Sequence, residues 1–175
     1  INDCVSAAIR MATNSAKEKN ITLSYPSMEK HLDTKIYGDE HCIKRVLLNL
    51  FSNSLKFTKS GGKIMTTIDC FGSNDLLIKV EDTGIGIPKD RLENVINPFN
   101  QVHGDQHLNE EGTGLGLSIV SSLIDLHQGK FILDSEINIG TIASVVIPAK
   151  RVFGIINASE NNLSKNGVQL LKIVS

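Results

Sequence analysis

Polar side chains suited to binding a cation and a phosphate repeat along one predicted helix, over residues 40–57. At about 100° per residue, Asn49, Asn53 and Lys56 lie within about 60° of one another. An amide oxygen can ligate a hard cation, and an amide NH2 or an ammonium can donate to a phosphate. A solvated helix face would contain the same residue types, so this stripe alone leaves both interpretations open. The opposite side is predicted to pack on the core through Leu47, Leu48, Phe51, Ser54 and Leu55.

A carboxylate followed by a glycine-rich turn forms a second candidate site. The apolar stretch that ends at Val80 leads into Asp82 and then into Gly84-Ile85-Gly86. A carboxylate at a strand end can accept a hydrogen bond from an exocyclic amine such as that of adenine, and the glycines let a ligand approach the backbone closely. An ordinary turn would also explain this Gly-x-Gly. A Rossmann dinucleotide site is excluded because no GxGxxG opens a helix here.

The third candidate site is Gly112-Thr113-Gly114-Leu115-Gly116-Leu117, which leads into a predicted helix. Glycines at alternate positions expose backbone N–H groups beside a helix N-terminus, where an anion can bind. The segment lacks the Lys-Ser/Thr pair of a P-loop, so a Walker A mechanism is excluded. A glycine-rich connector without a ligand remains the alternative.

The elements that must position these residues alternate between helical and extended patterns. Asp39 is a good N-cap for the helix over 40–57, and the polar residues 97–113 predict a mobile functional loop. Helices are also predicted over 1–19, 89–95 and 115–127, the last closed by Gly129. Strands are predicted over 21–25, 36–37, 63–70, 76–81, 130–135 and 141–147.

Composition excludes several classes of protein. The 175 residues carry 18 Lys and Arg against 19 Asp and Glu, a net charge of -1, which argues against nucleic-acid binding through bulk electrostatics. No apolar run approaches the ~20 residues of a membrane span, and no signal-peptide pattern opens the chain. The three cysteines lack metal spacing and are expected to be reduced, and the five scattered histidines predict no metal site.

Taken together, the three motifs and their order resemble the catalytic, ATP-binding domain of sensor histidine kinases, a Bergerat-fold domain. The resemblance covers residues 1–148, with 45–58 similar to the N box, 81–88 to the first glycine box, 97–102 to the phenylalanine box and 112–116 to the second glycine box. It implies an α+β fold, a two-layer α/β sandwich. That fold has a mixed sheet of about five strands, helices on one face and a mobile ATP lid.

The resemblance also implies ATP and Mg2+ as cofactors, and a role for each matching residue. Asn49, Asn53 and Lys56 would be the catalytic residues, with Asn53 ligating Mg2+ and the other two contacting phosphate. Phe57 would lie beside the adenine or ribose, and Asp82 would bind the adenine amine. The adenine pocket would be completed by Gly84, Gly86, Ile87 and Thr141. The lid would comprise Gly112, Thr113, Gly114, Leu115, Gly116 and Leu117, anchored by Phe99.

Asn49 separates two kinds of relative. Hydrolytic relatives carry a glutamate there as a general base, and an amide cannot take that role, so a kinase is favoured over a hydrolase. The resemblance implies transfer of the γ-phosphate to a histidine on a dimerisation domain outside this chain, with a downstream response regulator as partner. The whole protein is expected to be a membrane-anchored homodimer with this domain in the cytoplasm. The alternatives are an anti-sigma-type serine kinase and a nucleotide-binding module without transfer activity.

Residues 151–175 are predicted to lie outside the catalytic domain. Residues 151–156 have the pattern of a buried strand and 169–174 that of a helix end, with a faint resemblance to the start of a receiver domain. Receivers carry an acidic pair where this chain has Asn157 and Ala158. A plain linker is an equal alternative.

Overall fold

The computed structural model describes residues 1–25, 34–71, 74–97 and 114–154. The helices are α1 (Asn2–Glu18), α2 (Glu40–Phe57), α3 (Leu92–Val95) and α4 (Gly116–Leu126). The strands are β1 (Thr22–Ser24), β2 (Lys35–Ile36), β3 (Lys63–Phe71), β4 (Asp75–Asp82), β5 (Lys130–Glu136), β6 (Gly140–Ile147) and β7 (Val152–Phe153). Short 3₁₀ turns at Lys89–Arg91 and Ala149–Arg151 precede α3 and β7. No helix among the described ranges is both long and apolar enough to cross a membrane.

Five strands form one mixed sheet in the order β1-β3-β4-β6-β5. β1 pairs with β3 in parallel, and the other neighbours are antiparallel. α2 packs between α1 and α4, and the buried residues of these helices form one core cluster with alternate residues of the strands. The predicted α+β class, with a five-stranded mixed sheet and helices on one face, is confirmed.

α2 is the central element of the helical layer, and its predicted bounds are confirmed. Asp39 caps it, since its carboxylate accepts a hydrogen bond of 3.0 Å from the Cys42 N–H, and this bond lowers the pKa of Asp39. The helix buries one apolar side, as expected from its pattern, although Leu50 lies in the core while Leu48 is only half-buried. The polar stripe is thereby turned away from the core.

A buried histidine joins the far end of α4 to the start of α2. The His127 Nδ1 lies 2.7 Å from the Leu123 carbonyl oxygen, and its Nε2 lies 3.1 Å from the Asp39 backbone N. Because a carbonyl can only accept and an N–H can only donate, Nδ1 donates to Leu123 and Nε2 accepts from Asp39. This contact fixes where α4 lies along α2.

The turn after α4 differs from the prediction. The helix ends at Leu126, and Gln128 adopts the left-handed conformation with φ of 55°, so Gly129 is not the residue that reverses the chain. A Cβ at position 129 would lie 2.4 Å from the Val146 carbonyl oxygen. Gly129 is therefore required for a close approach to β6.

The second sheet is a two-stranded ribbon that pairs β2 with β7. It places Val152 and Phe153 against Ile36 and Lys35, and the Arg151 guanidinium donates to the Tyr37 carbonyl at 3.0 Å. Of the buried strand expected over 151–156, a strand is present at Val152–Phe153, but its burial is wrong, because Val152 is half-buried and Phe153 is 54% exposed. Residues 155–175 lie outside the described residues, so the boundary near 148 and the receiver-like tail stay predictions.

Candidate functional site

The N-terminus of α4 lies directly against the polar stripe of α2. A Cβ added to Gly116 would lie 3.3 Å from the Asn49 Oδ1 and 3.5 Å from the Asn53 Nδ2. The Asn49 Nδ2 donates to the Arg45 carbonyl at 2.8 Å, so its Oδ1 is the atom directed at α4. A side chain at position 116 would fill this space, and glycine leaves it open.

The start of α4 presents donors to the same place. Leu115 precedes the helix and supplies no side-chain cap, while Gly114 has φ of 68°. The first backbone N–H groups of a helix have no partner within the helix, and the helix dipole makes them favourable for an anion. The Asn49 and Asn53 amides and these N–H groups thus combine oxygen ligands for a hard cation with donors for an anion.

Lys56 and Phe57 lie at the C-terminal end of the stripe. The Lys56 ammonium is 5.1 Å from the centroid of the Phe57 ring, within cation–π range, and Phe57 is 36% exposed. Both border a cavity of about 410 Å³ where α1 and α2 end. The cavity is lined by Glu18, Lys19, Lys56, Phe57, Thr58, Lys59, Ser60 and Ile85.

Asp82 is a buried carboxylate held by one side-chain donor and by the backbone N–H groups of Gly84 and Thr141. It accepts hydrogen bonds from the Ser54 hydroxyl at 3.0 Å and from the Gly84 backbone N–H at 2.9 Å. Burial raises the pKa of Asp82, and the hydrogen bonds from Gly84 and Ser54 oppose that rise. Each carboxylate oxygen has two acceptor sites, so Asp82 can still accept from a ligand amine.

Ser54 and Asn53 are neighbours on α2, and through them the helix joins the two parts of the site. Asn53 faces the start of α4, whereas Ser54 reaches Asp82 at the end of β4. From the helical pattern, Ser54 was predicted only to lie on the packed side of the helix. A hydroxyl on a buried helix face needs a buried partner, which is the feature that could have revealed this contact.

Three polar residues form a row across adjacent strands. In the sheet register Asp82 lies opposite Thr141, and Thr141 lies opposite Ser135. Directly opposite residues project from the same face of a sheet, so the three side chains are neighbours. Ser135 was not predicted from the sequence, and its buried hydroxyl lies 2.9 Å from the Thr141 Oγ1.

The first glycine box is fixed on both sides. The Ile85 N–H donates to the Phe57 carbonyl at 3.1 Å, and the Ile87 N–H donates to the Ser135 hydroxyl at 2.8 Å. Gly86 has φ of 71°, and a Cβ there would lie 2.0 Å from the Glu136 carbonyl oxygen. The box is therefore held between the end of α2 and the β5–β6 turn, where only glycine fits.

The structure thus brings most of the predicted site residues into two joined groups. One comprises Asn49, Asn53, Gly114, Leu115, Gly116 and Leu117, and the other Asp82, Gly84, Gly86, Ile87 and Thr141. Gly112, Thr113 and Phe99 lie outside the described residues, as does the predicted mobile loop apart from Asn97. The described residues contain no cluster of three or more His, Cys, Asp or Glu side chains that could hold a metal ion.

Comparison with protein families and curated proteins gives a consistent result. The family model described as histidine kinase-, DNA gyrase B- and HSP90-like ATPase matches residues 38–151. The cell-division control histidine kinase PdhS of Brucella canis is 31% identical over 160 residues, which covers 87% of this chain and 15% of PdhS. An uncharacterized sensor-like histidine kinase of Rhizobium meliloti, R01002, is 36% identical over 150 residues, or 85% of this chain and 28% of that protein. The chain spans less than a third of either relative.

Solved structures share the fold. The catalytic domain of the histidine kinase ThkA superposes with a TM-score of 0.71 and 26% identity, covering 85% of this chain and 92% of that domain. Full-length ShkA in complex with AMPPNP has a TM-score of 0.71 and 25% identity, covering 83% of this chain and 29% of ShkA. The mycobacterial sensor histidine kinase MprB also has a TM-score of 0.71, with 20% identity and coverage of 84% and 94%. These superpositions cover 83–85% of this chain, so most of it shares the fold.

Proposed function

The chain belongs to the histidine kinase-, DNA gyrase B- and HSP90-like ATPase family, and from this premise we propose how its own residues bind Mg2+–ATP and support phosphate transfer. Within that family it is an ATP-binding catalytic module of the sensor histidine kinase type. The observation that carries the proposal is the approach of Gly116 to the Asn49 and Asn53 amides. That approach joins oxygen ligands for a cation to the donors of a helix N-terminus.

The residues present fit Mg2+ and a triphosphate. The Asn49 Oδ1 is directed into the space beside Gly116, and the Asn53 amide borders the same space. We assign Asn53 as the Mg2+ ligand, Asn49 and Lys56 as phosphate contacts, and the N–H groups at Gly114–Leu117 as further phosphate donors. Bound Mg2+ would neutralise part of the phosphate charge.

The second group of residues suits the adenine. Asp82 retains free acceptor sites next to Gly84, and the glycine box leaves the backbone from Gly84 to Ile87 approachable. We assign Asp82 to the exocyclic amine, Thr141 to the same edge of the base, and the exposed Phe57 ring to the adenine or ribose. A triphosphate at Asn53 and a base at Asp82 are then linked through adjacent residues of α2.

Transfer to an external acceptor, rather than to water, is supported by the chemistry of Asn49. An amide has negligible basicity, so the site holds no general base where hydrolytic relatives have one. Catalysis would consist of positioning and charge neutralisation by Asn49, Lys56 and the start of α4. We assign the acceptor to a histidine on a dimerisation domain of the same protein, and a response regulator in the cytoplasm as the next recipient.

Calorimetry with Mg2+–ATP tests the binding half of the proposal. The chain should bind Mg2+–ATP, and Asn53→Ala should weaken binding by about tenfold or more, since it removes a ligand of the cation. Asn14→Ala on the exposed side of α1 is the matched control and should leave affinity unchanged. Absence of binding by the unaltered chain would contradict the proposal.

Phosphate transfer is tested by adding the dimerisation domain of the same protein, with its histidine, to the chain and labelled ATP. Label should appear on that domain and be lost when its histidine is replaced by glutamine. Label on serine of an added protein instead would favour the serine-kinase alternative.

A further inference from the structure

The Ser135 hydroxyl is the centre of a three-way hydrogen-bond junction at the end of β5. It lies 2.8 Å from the Gly140 carbonyl oxygen, 2.8 Å from the Ile87 backbone N and 2.9 Å from the Thr141 Oγ1. The side chain is 4% exposed, so water does not compete for these contacts. Each bond direction can therefore be assigned from the capacity of its atoms.

A serine hydroxyl has one hydrogen and two acceptor sites. The Gly140 carbonyl can only accept, so it takes the Ser135 hydrogen, and the Ile87 N–H can only donate, so it takes one acceptor site. The remaining acceptor site leaves only one role for Thr141, which is to donate its own hydroxyl hydrogen to Ser135. The junction is then complete, with every atom satisfied.

This assignment determines what Thr141 offers to a ligand. Its single hydroxyl hydrogen points towards Ser135, so the Oγ1 of the half-buried Thr141 has only lone pairs left for a ligand. Asp82, beside it in the register, also acts as an acceptor towards its protein partners, which are the Ser54 hydroxyl and the backbone N–H groups of Gly84 and Thr141. The two neighbouring side chains thus form an edge of hydrogen-bond acceptors.

We propose that Ser135 is a positioning residue that holds Thr141 as a hydrogen-bond acceptor. By this means it favours a purine with an amino group at the 6-position over a purine with a carbonyl at that position. The inference rests on the proposed function, because it concerns the base of the nucleotide bound there. A 6-amino group can donate a hydrogen bond to this acceptor edge. A 6-carbonyl oxygen is itself an acceptor, so it would face the acceptor atoms of Asp82 and Thr141 without a hydrogen between them. Ser135 need not touch the nucleotide to have this effect.

The test compares ATP with inosine triphosphate, in which a carbonyl replaces the 6-amino group. Dissociation constants of both with Mg2+ are measured for the unaltered chain and for Ser135→Ala. In the variant the Thr141 hydroxyl is released and can turn its hydrogen into the pocket. The ratio of the inosine triphosphate to the ATP dissociation constant should fall by about 3- to 10-fold, the effect of one hydrogen bond.

Two further variants keep the test decisive. Ser144→Ala removes another buried hydroxyl, from β6 three residues beyond Thr141, and should leave the ratio unchanged. If Ser135→Ala does not fold, Thr141→Val removes the acceptor directly with little change of shape and should also lower the ratio. A purely structural role for Ser135 would weaken both nucleotides equally and leave the ratio as it was.

The outcomes separate this inference from the proposed function. Binding of ATP with an unchanged ratio in Ser135→Ala, or in Thr141→Val, would overturn the role of Ser135 and leave the proposed function standing. Equal affinity of the unaltered chain for the two nucleotides would do the same. Absence of any nucleotide binding would overturn both.

Discussion

Replacing Asp82 by asparagine should separate nucleotide binding from stability, because the structure gives this carboxylate two distinct effects. Its oxygens accept from Ser54 and Gly84 inside the protein, and it retains acceptor sites for a ligand. In Asp82→Asn the amide oxygen can still accept from the Gly84 N–H, while the new NH2 donates to the Ser54 oxygen. The variant should therefore fold.

ATP affinity should fall in this variant. The adenine amine would lose a charge-assisted hydrogen bond, worth about 1.5–3 kcal/mol, which corresponds to about 10- to 150-fold in dissociation constant. The assay is calorimetry with Mg2+–ATP at neutral pH. Glu81→Gln is the matched control, since Glu81 is the adjacent residue of β4 and projects from the opposite face.

The free energy of unfolding should respond in the opposite sense. Burial raises the pKa of Asp82 above its value in the unfolded chain, so the folded state binds this proton more tightly. The unaltered chain therefore loses stability as the pH rises from the unfolded pKa, about 3.9, through the raised folded pKa. Asp82→Asn lacks this loss, and it should gain stability relative to the unaltered chain over that window and keep the gain at neutral pH.

Denaturant unfolding followed by circular dichroism from pH 3 to pH 8 measures this difference. Two results would refute the reasoning. Unchanged ATP affinity in a folded Asp82→Asn would remove Asp82 from the base site. A variant whose stability relative to the unaltered chain falls with rising pH would show that the hydrogen bonds from Gly84 and Ser54 outweigh burial.

Three further predictions concern the mechanism and the helical layer. Asn49→Glu should introduce slow ATP hydrolysis, detected as free phosphate at saturating ATP, because general-base assistance contributes about 10²- to 10⁴-fold; a variant identical to the unaltered chain in ATP affinity and phosphate release would contradict the placement of Asn49. Incubated alone with labelled ATP, the chain should stay unlabelled, and stable acid-labile label on any of its own histidines would contradict the assignment of an external acceptor. His127→Ala should lower the free energy of unfolding by about 2–4 kcal/mol, since it leaves a cavity and an unpaired Asp39 N–H. The control His41→Ala, at an exposed position, should change it by less than about 0.5 kcal/mol. Equal effects of the two variants in denaturant titration would argue against the buried contact.

The parts of the fold that the sequence predicts are those set by local pattern. The bounds of α2 follow from its apolar period and the Asp39 cap, and its polar stripe follows from the same period. Gly-x-Gly after an apolar strand likewise indicated the turn that follows Asp82. These features depend on residues within a few positions of one another.

Contacts between residues far apart in the chain could not be predicted from the sequence. Ser135 meets Ile87 across 48 positions, and Ser54 meets Asp82 across 28, so neither hydroxyl has a local pattern that reveals its partner. The β2–β7 ribbon joins two-residue strands more than 100 positions apart, too short for any periodicity. At the end of α4, glycine was expected to reverse the chain because it adopts positive φ freely. Gln128 has the positive φ instead, and Gly129 follows it because the chain there approaches the Val146 carbonyl closely.

The contact between His127 and Asp39 has a consequence for how the helical layer opens. α4 touches the Asn49–Asn53 stripe of α2 at its first residue and the cap of α2 just after its last, so neither helix can separate without breaking both contacts. Such a pair should unfold locally as one cooperative unit, so that its protected amide hydrogens exchange with a common free energy of opening. A nucleotide held at the Asn53 end would therefore slow exchange at the His127 end, one length of α4 away.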